Sequence, residues 1–442
     1  MGFARLRLAN WRQFSLVDIE FHPNLTIITG ANGAGKSSLL NILGQNIGAS
    51  RQFLSVPMMV DGTRKFVSSL FSIPSRVLSW LRPKQDPNWS NIGNLYYTNG
   101  TESILQVPTQ GQQSYAVQIP GQQPVIGFHM PSHRSLPNYQ PVPNIPFGGF
   151  QPETAFGRLI GEAYHAFQGG HSGYSVLFRL KELLAAWAVF GEGNTTLGKD
   201  ESQKNAYDGF VEILRELLPV DLGFEGLIVD APDIVISTRS GTFLIDALSG
   251  GLTAIIEMAA LIYTRSLMTD VSDGHFVVTM DEPENHLHPA IQRTILSSIV
   301  RAFPNVQFIV ATHSPFIVTS SRDCRVYALK YEEVVVADEE WDTSSSQNDV
   351  RERVVGQSAR RVQCIFLEQG HLSSSPSEIL REVLGVPVTF PTWVEDNIEA
   401  VVGRYRKHPF NDQTIAEFRR DIEEAGLSEL FPEALLNLAR TN

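Results

Sequence analysis

The residues best equipped for chemistry are the run GANGAGKSS at Gly30 to Ser38. Glycines at 30, 33 and 35 let backbone N–H groups curl round a phosphate chain, and Lys36 reaches the β and γ phosphates. Asn32, Gly33, Gly35, Lys36, Ser37 and Ser38 are therefore expected to hold a nucleoside triphosphate, with Ser37 on its Mg²⁺ ion. A second set lies far downstream. The apolar run FVVTM ends in Asp281 and Glu282, a pair in which one carboxylate holds Mg²⁺ through water and the next polarises an attacking water. VQFIVAT ends in His313, placed to contact the γ phosphate. Between the two sets stands LSGG at Leu248 to Gly251, where Ser249 and Gly251 open a helical stretch. A serine before glycines caps a helix in any protein, so by itself this segment supports a purely structural reading equally well.

These side chains need elements to carry them. NLTIIT ahead of the glycines reads as a short apolar strand and SLLNILGQNI behind them as a helix, which puts the loop on a strand-to-helix turn. Residues 1 to 29 alternate apolar and polar as paired strands do. From about 50 to 150 the chain is rich in Gln, Pro, Gly and Asn, and YYTNGTESILQV predicts a hairpin at Asn99 and Gly100 within an antiparallel β insertion. SVLFRLKELLAAWAVF and YDGFVEILRELLPV predict two helices, too short for a long coiled-coil arm, and the LSGG segment predicts a third, amphipathic one. The strands ahead of Asp281 and His313 each run straight into polar residues, and such strand ends hold the chemistry of open α/β sheets. Past Arg322 come the acidic stretch YEEVVVADEEWD, a Ser-rich break and a mostly helical tail.

At 442 residues the chain can bury a large core in one domain or in two to three modules. No apolar run approaches the roughly 20 residues of a membrane span, and MGFARLRLANWR lacks the apolar stretch of a signal peptide, so a cytoplasmic location is expected. Cys324 and Cys364 make neither a disulfide framework nor a metal spacing. A net charge of −12 argues against a surface devoted to nucleic acid, though a local basic patch leaves DNA binding possible.

Phosphate loop, LSGG, strand-DE and strand-TH, in that order, resemble the ABC-type ATPases, including their SMC and double-strand-break-repair branch. The resemblance implies an α/β fold with a mixed central sheet, an antiparallel β insertion, a helical insertion and a helical C-terminal tail. It divides the chain into an N-terminal lobe (1–150), the helical insertion (151–222), a C-terminal lobe with LSGG, strand-DE and His313 (223–330), and a tail for assembly or partners (331–442). It implies ATP and Mg²⁺ as ligands, Ser37 and Asp281 at the metal, Glu282 as the water-activating residue and His313 as the switch histidine. Two copies would sandwich two ATP molecules, Ser249 and Gly251 of one facing the phosphates of the other. Gln140 is the candidate for the glutamine that bridges metal and partner. Arg12 either helps hold the nucleotide or is a solvated surface arginine. His286 and His288 with Glu284 and Asp281 offer a weak metal pattern, against which stands a loop facing the partner subunit.

The wording DEPENHLHP and ATHSPFIV resembles ATPases of bacterial anti-phage defence, most of all the ATPase component of PARIS-type systems and next that of Septu-type systems. That resemblance implies an ATP-hydrolysing scaffold and sensor that holds a separate toxin nuclease, of TOPRIM or His-Asn-His type, and frees it on meeting a phage-encoded trigger protein. VQCIFLEQG offers Glu368 to a TOPRIM site, but no Asp-x-Asp follows it. The alternatives are an SMC-like DNA-repair ATPase and the ATPase subunit of another complex, such as a transporter or a translation factor.

Overall fold

The computed structural model describes residues 1–49, 51–60, 63–67, 88–109, 112–132, 138–146, 150–168, 170, 173–268, 274–334, 359–368, 376–383, 392–406, 412–432, 434–435 and 438. They form two units, Met1–Ile379 and Leu380–Asn442.

The first unit opens with the hairpin β1 (Phe3–Trp11) and β2 (Phe14–Glu20), then β3 (Leu25–Gly30) and α1 (Lys36–Asn46). Every residue of β3 is buried, as in a parallel strand covered on both faces. There follow β4 (Phe53–Leu54), β5 (Val56–Val60), β6 (Thr63–Val67), β7 (Trp89–Tyr97), β8 (Glu102–Pro108), β9 (Ser114–Tyr115) and β10 (Gly127–Met130). The helices α2 (Pro152–Phe167), α3 (Val176–Glu192) and α4 (Glu201–Leu217) lead to a three-stranded sheet of β11 (Phe224–Asp230), β12 (Asp233–Thr238) and β13 (Gly241–Leu244). Then come α5 (Gly250–Ser266), β14 (Phe276–Asp281), α6 (Pro289–Gln292), α7 (Ile295–Ala302), β15 (Val306–Thr312), α8 (Pro315–Val318), β16 (Arg325–Val334) and β17 (Ala359–Leu367).

Ten strands make one mixed sheet in the order β10-β14-β15-β3-β16-β17-β2-β1-β7-β8. The first five run parallel, so β3, β14 and β15 end side by side on one edge. The predicted Asn99–Gly100 hairpin is β7–β8, and it extends the main sheet by pairing with β1. Two expectations need correction. The stretch after Arg322 does not go directly into a helical tail, because β16 and β17 return to the sheet between β3 and β2. Their apolar runs are broken up in the sequence by the charges of Glu332 and Arg361, which stand opposite one another across the two strands. The acidic stretch begins inside β16, and its part from 335 on lies outside the described residues. Helix α5 is not amphipathic but buried from Thr253 through Thr264, since α2, α3 and α4 all pack on it.

The second unit has its own core. Ile398, Val401, Val402 and Tyr405 of the helix Thr392–Tyr405 meet Phe418 and Ile422 of the helix Asp412–Glu424. Trp393, at the start of the first of these helices, is 61% exposed, and Leu384 lies outside the described residues.

Candidate functional site

The phosphate loop is held by close packing that only glycine allows. Gly35 stands before α1 at φ +102°, and a Cβ there would come 2.4 Å from Phe14 Cζ and 2.5 Å from Gln13 Nε2. A Cβ on Gly30 would come 2.6 Å from the Leu329 carbonyl oxygen of β16. Lys36 is buried beneath the loop, its Nζ donating to Gly30 O at 2.8 Å and Ala31 O at 3.2 Å. Burial lowers its pKa, while the carboxylates of Glu282, Asp281 and Glu284 pull it back up. Asn32, Gly33 and Ser37 are exposed around this lysine and Ser38 is half-buried.

Sheet register delivers the other half of the site. Ala311 of β15 pairs with Asp281 of β14 on one side and with Ile28 of β3 on the other, so the strand ends form one row beside the loop. Burial raises the pKa of Asp281, against a hydrogen bond from Ser37 and the charge of Lys36. Its Oδ1 is buried and has no hydrogen-bond partner among the described residues. A carboxylate oxygen with a free lone pair beside a serine hydroxyl fits an oxygen-coordinated dication such as Mg²⁺.

Glu282 sits at φ +49°, a strained value for a side chain other than glycine, and its N–H donates to Ala311 O at 2.8 Å. The turn aims its carboxylate at the next strand end, with Oε1 3.3 Å from His313 Nδ1 and Oε2 accepting from Asn285 Nδ2 at 3.2 Å. Glu284, seen in the sequence only as a weak metal ligand, has a different task. It is buried, and its Oε1 accepts from Thr312 Oγ1 at 2.5 Å and from His313 N–H at 3.1 Å, which fixes the backbone that carries the histidine. The second glutamate of DEPE was the available signal, but its direction depends on the turn at Glu282 and Pro283.

Ser249 occupies the N-cap position of α5, yet its side chain makes no capping hydrogen bond and is exposed. Gly251 is where the helix start touches the loop after Glu282, since a Cβ there would lie 2.7 Å from His286 O. His288 Nδ1 accepts from Ala290 N–H at 3.3 Å and so caps α6. Among the described residues no group of three His, Cys, Asp or Glu is placed to hold a metal ion.

A cavity of about 260 Å³ opens beside Ser37 and Asp281, with Arg12, Arg51, Gln52 and His129 also in its wall. Arg12, at φ +51°, lies over the rings of Phe53 and Trp11 at 5.5 and 5.9 Å, so it faces this cavity rather than open solvent alone. Gln140 does not reach it. Its Nε2 donates to Gly173 O at 2.8 Å and its main-chain carbonyl accepts from Lys181 Nζ at 2.5 Å, while the glutamine that lines the cavity with Ser37 and Asp281 is Gln52. The expectation of Gln140 as a metal ligand is corrected accordingly: a short polar segment carried no period from which its direction could be read.

Two family models match the chain, an AAA domain over residues 5–52 and an AAA domain, putative AbiEii toxin, Type IV TA system, over residues 179–319. The first holds Arg12 and the phosphate loop; the second holds LSGG, Asp281, Glu282 and His313. The chain is 23% identical over 424 residues to the Septu protein PtuA of Bacillus thuringiensis, across 93% of this chain and 87% of that one. These matches make the chain similar to P-loop ATPases, the PtuA protein of a Septu system among its relatives. The chain is also 33% identical over 93 residues to the Retron Vc95 probable ATPase of Vibrio cholerae serotype O1 biovar El Tor, 20% of this chain and 18% of that one. It is 31% identical over 127 residues to the Retron Ec83 probable ATPase of Escherichia coli, 28% of this chain and 21% of that one. The matches thus span about a fifth of each retron relative. No helix among the described residues is long and apolar enough to cross a membrane.

Proposed function

We propose that the chain hydrolyses ATP at a site shared by two copies, and that this cycle lets an anti-phage defence complex hold a separate toxin nuclease and release it when a phage protein is sensed. The observation that carries the hydrolytic part is one cluster: Asp281, Glu282 and His313 at adjacent strand ends, beside a loop whose Lys36 feels the carboxylates of all three acids of DEPE.

The loop N–H groups and Lys36 take the phosphates. Mg²⁺, when bound, would be held by Ser37 and Asp281 and would neutralise phosphate charge. Glu282 accepts the proton of the attacking water, and His313 keeps its carboxylate oriented while facing the γ phosphate. Arg12 closes the cavity side of the nucleotide. Ser249 and Gly251 come from the second copy, where the free N–H groups at the start of α5 face the γ phosphate. In this reading residues 1–150 and 223–379, whose β16 and β17 lie in the main sheet, make up the two lobes of the ATPase, 151–222 its helical insertion, and 380–442 contributes to assembly or partner binding.

The defence setting rests on the Septu and retron relatives, and the split between ATPase and nuclease rests on the likeness to such systems. The test pairs two assays on one variant. Glu282→Gln should bind ATP yet fail to release phosphate, and cells carrying it together with the neighbouring gene should lose protection against phage. Unchanged hydrolysis would move the catalytic role away from Glu282; intact protection without hydrolysis would separate the defence function from turnover.

A further inference from the structure

Helix α3 carries a charge in the middle of its apolar face. Leu177, Phe178, Leu180, Leu183 and Leu184 bury its apolar face, and Lys181 among them is 0% exposed. A buried ammonium is expensive unless its partners are well placed, and an apolar residue of similar volume often serves stability as well or better. Its partners here come from separate segments. Nζ lies 2.5 Å from Asp246 Oδ2 and 2.5 Å from Gln140 O, with Asp233 Oδ1 at 3.8 Å and the Tyr139 ring at 5.6 Å. Asp246 Oδ1 also accepts from Gln140 N–H at 3.4 Å.

The Asp246 segment leads to the site. Asp246 sits in the turn Ile245–Ala247 that hands the chain to Ser249 and α5. Upstream of Gln140, Ser132 O accepts at 3.3 Å from Asn285 Nδ2, which also bonds Glu282. We propose that Lys181 is a positioning residue: its ion pair with Asp246 and its bond to Gln140 clamp the entrance of the LSGG helix to the main chain at Gln140. The clamp sets the direction in which Ser249 is presented to a second copy. This rests on the composite-site reading above.

The test uses the full chain. Lys181→Met with Asp246→Asn keeps the charge balanced, so the double variant should fold and bind ATP within about threefold of the wild type, while hydrolysis at saturating ATP falls at least about tenfold. Amide exchange at residues 246–252 should quicken at least about tenfold and that at 30–38 stay unchanged. Asp246→Asn alone leaves Lys181 an acceptor and should give an intermediate loss of kcat at constant KM. Wild-type hydrolysis and exchange in the double variant would overturn the proposal, as would ATP affinity falling in step with kcat. A wild-type protein that does not hydrolyse ATP would count against the ATPase reading, and exchange at 246–252 would then decide the clamp by itself.

Discussion

His313 Nδ1 stands 3.3 Å from Glu282 Oε1, so residues that close two neighbouring parallel strands act on one another directly. Glu284 holds the histidine's backbone from behind, through Oε1 at 3.1 Å from His313 N. Because positioned acid–base groups contribute about 10²–10⁴-fold, Glu282→Gln should lower hydrolysis by at least about 100-fold, and His313→Ala by about as much. Phosphate-release kinetics, with ATP affinity measured in parallel, check this. Glu284→Ala should lower kcat far more than ATP affinity and destabilise the fold by about 1–3 kcal/mol, since Thr312 then loses its buried acceptor.

Lys36→Ala removes the cation under the loop. Charge-assisted hydrogen bonds are worth about 1.5–3 kcal/mol, so ATP affinity should drop by at least about tenfold in a calorimetric titration. Wild-type affinity would sink the phosphate-loop assignment.

Ser249→Arg places bulk and charge on an exposed helix start whose side chain caps nothing. ATP binding by the monomer should persist, while ATP-linked association, followed by light scattering, disappears. Unaltered association would leave Ser249 no role between subunits.

Burial holds the Asp281 carboxyl above its ordinary pKa, with Ser37 and Lys36 acting in the opposite direction. A carboxyl raised in the folded state is disfavoured there as an anion, so its ionisation lowers stability as pH rises from the unfolded value through the folded one. At neutral pH, Asp281→Asn should therefore raise the Tm of the ligand-free protein and shrink the further rise produced by Mg²⁺ with ATP. A lower ligand-free Tm in the variant would contradict this account.

Trp393 is 61% exposed on a helix whose Ile398, Val401 and Val402 are buried in the second unit. Removing residues 380–442 should leave ATP binding intact and abolish capture of the effector or higher-order assembly. Trp393→Ser should leave Tm unchanged and weaken the same capture. Co-purification of the truncated chain with the neighbouring gene product at the full-length ratio would refute the assignment.

What the sequence determined by itself was local. Gly30 to Ser38, and the strand ends at Asp281–Glu282 and His313, were legible because each depends on a turn of a few residues flanked by an apolar run, and both periodicity and glycine spacing survive in one dimension. What only the tertiary structure decided was non-local. Glu284 beneath His313, Lys181 between Asp246 and Gln140, Gln52 rather than Gln140 at the cavity, and β16 and β17 inside the sheet all follow from register and packing between segments far apart in the chain. A buried charge gains its meaning from the partner across the fold, and the chain order carries no signal of which partner that will be.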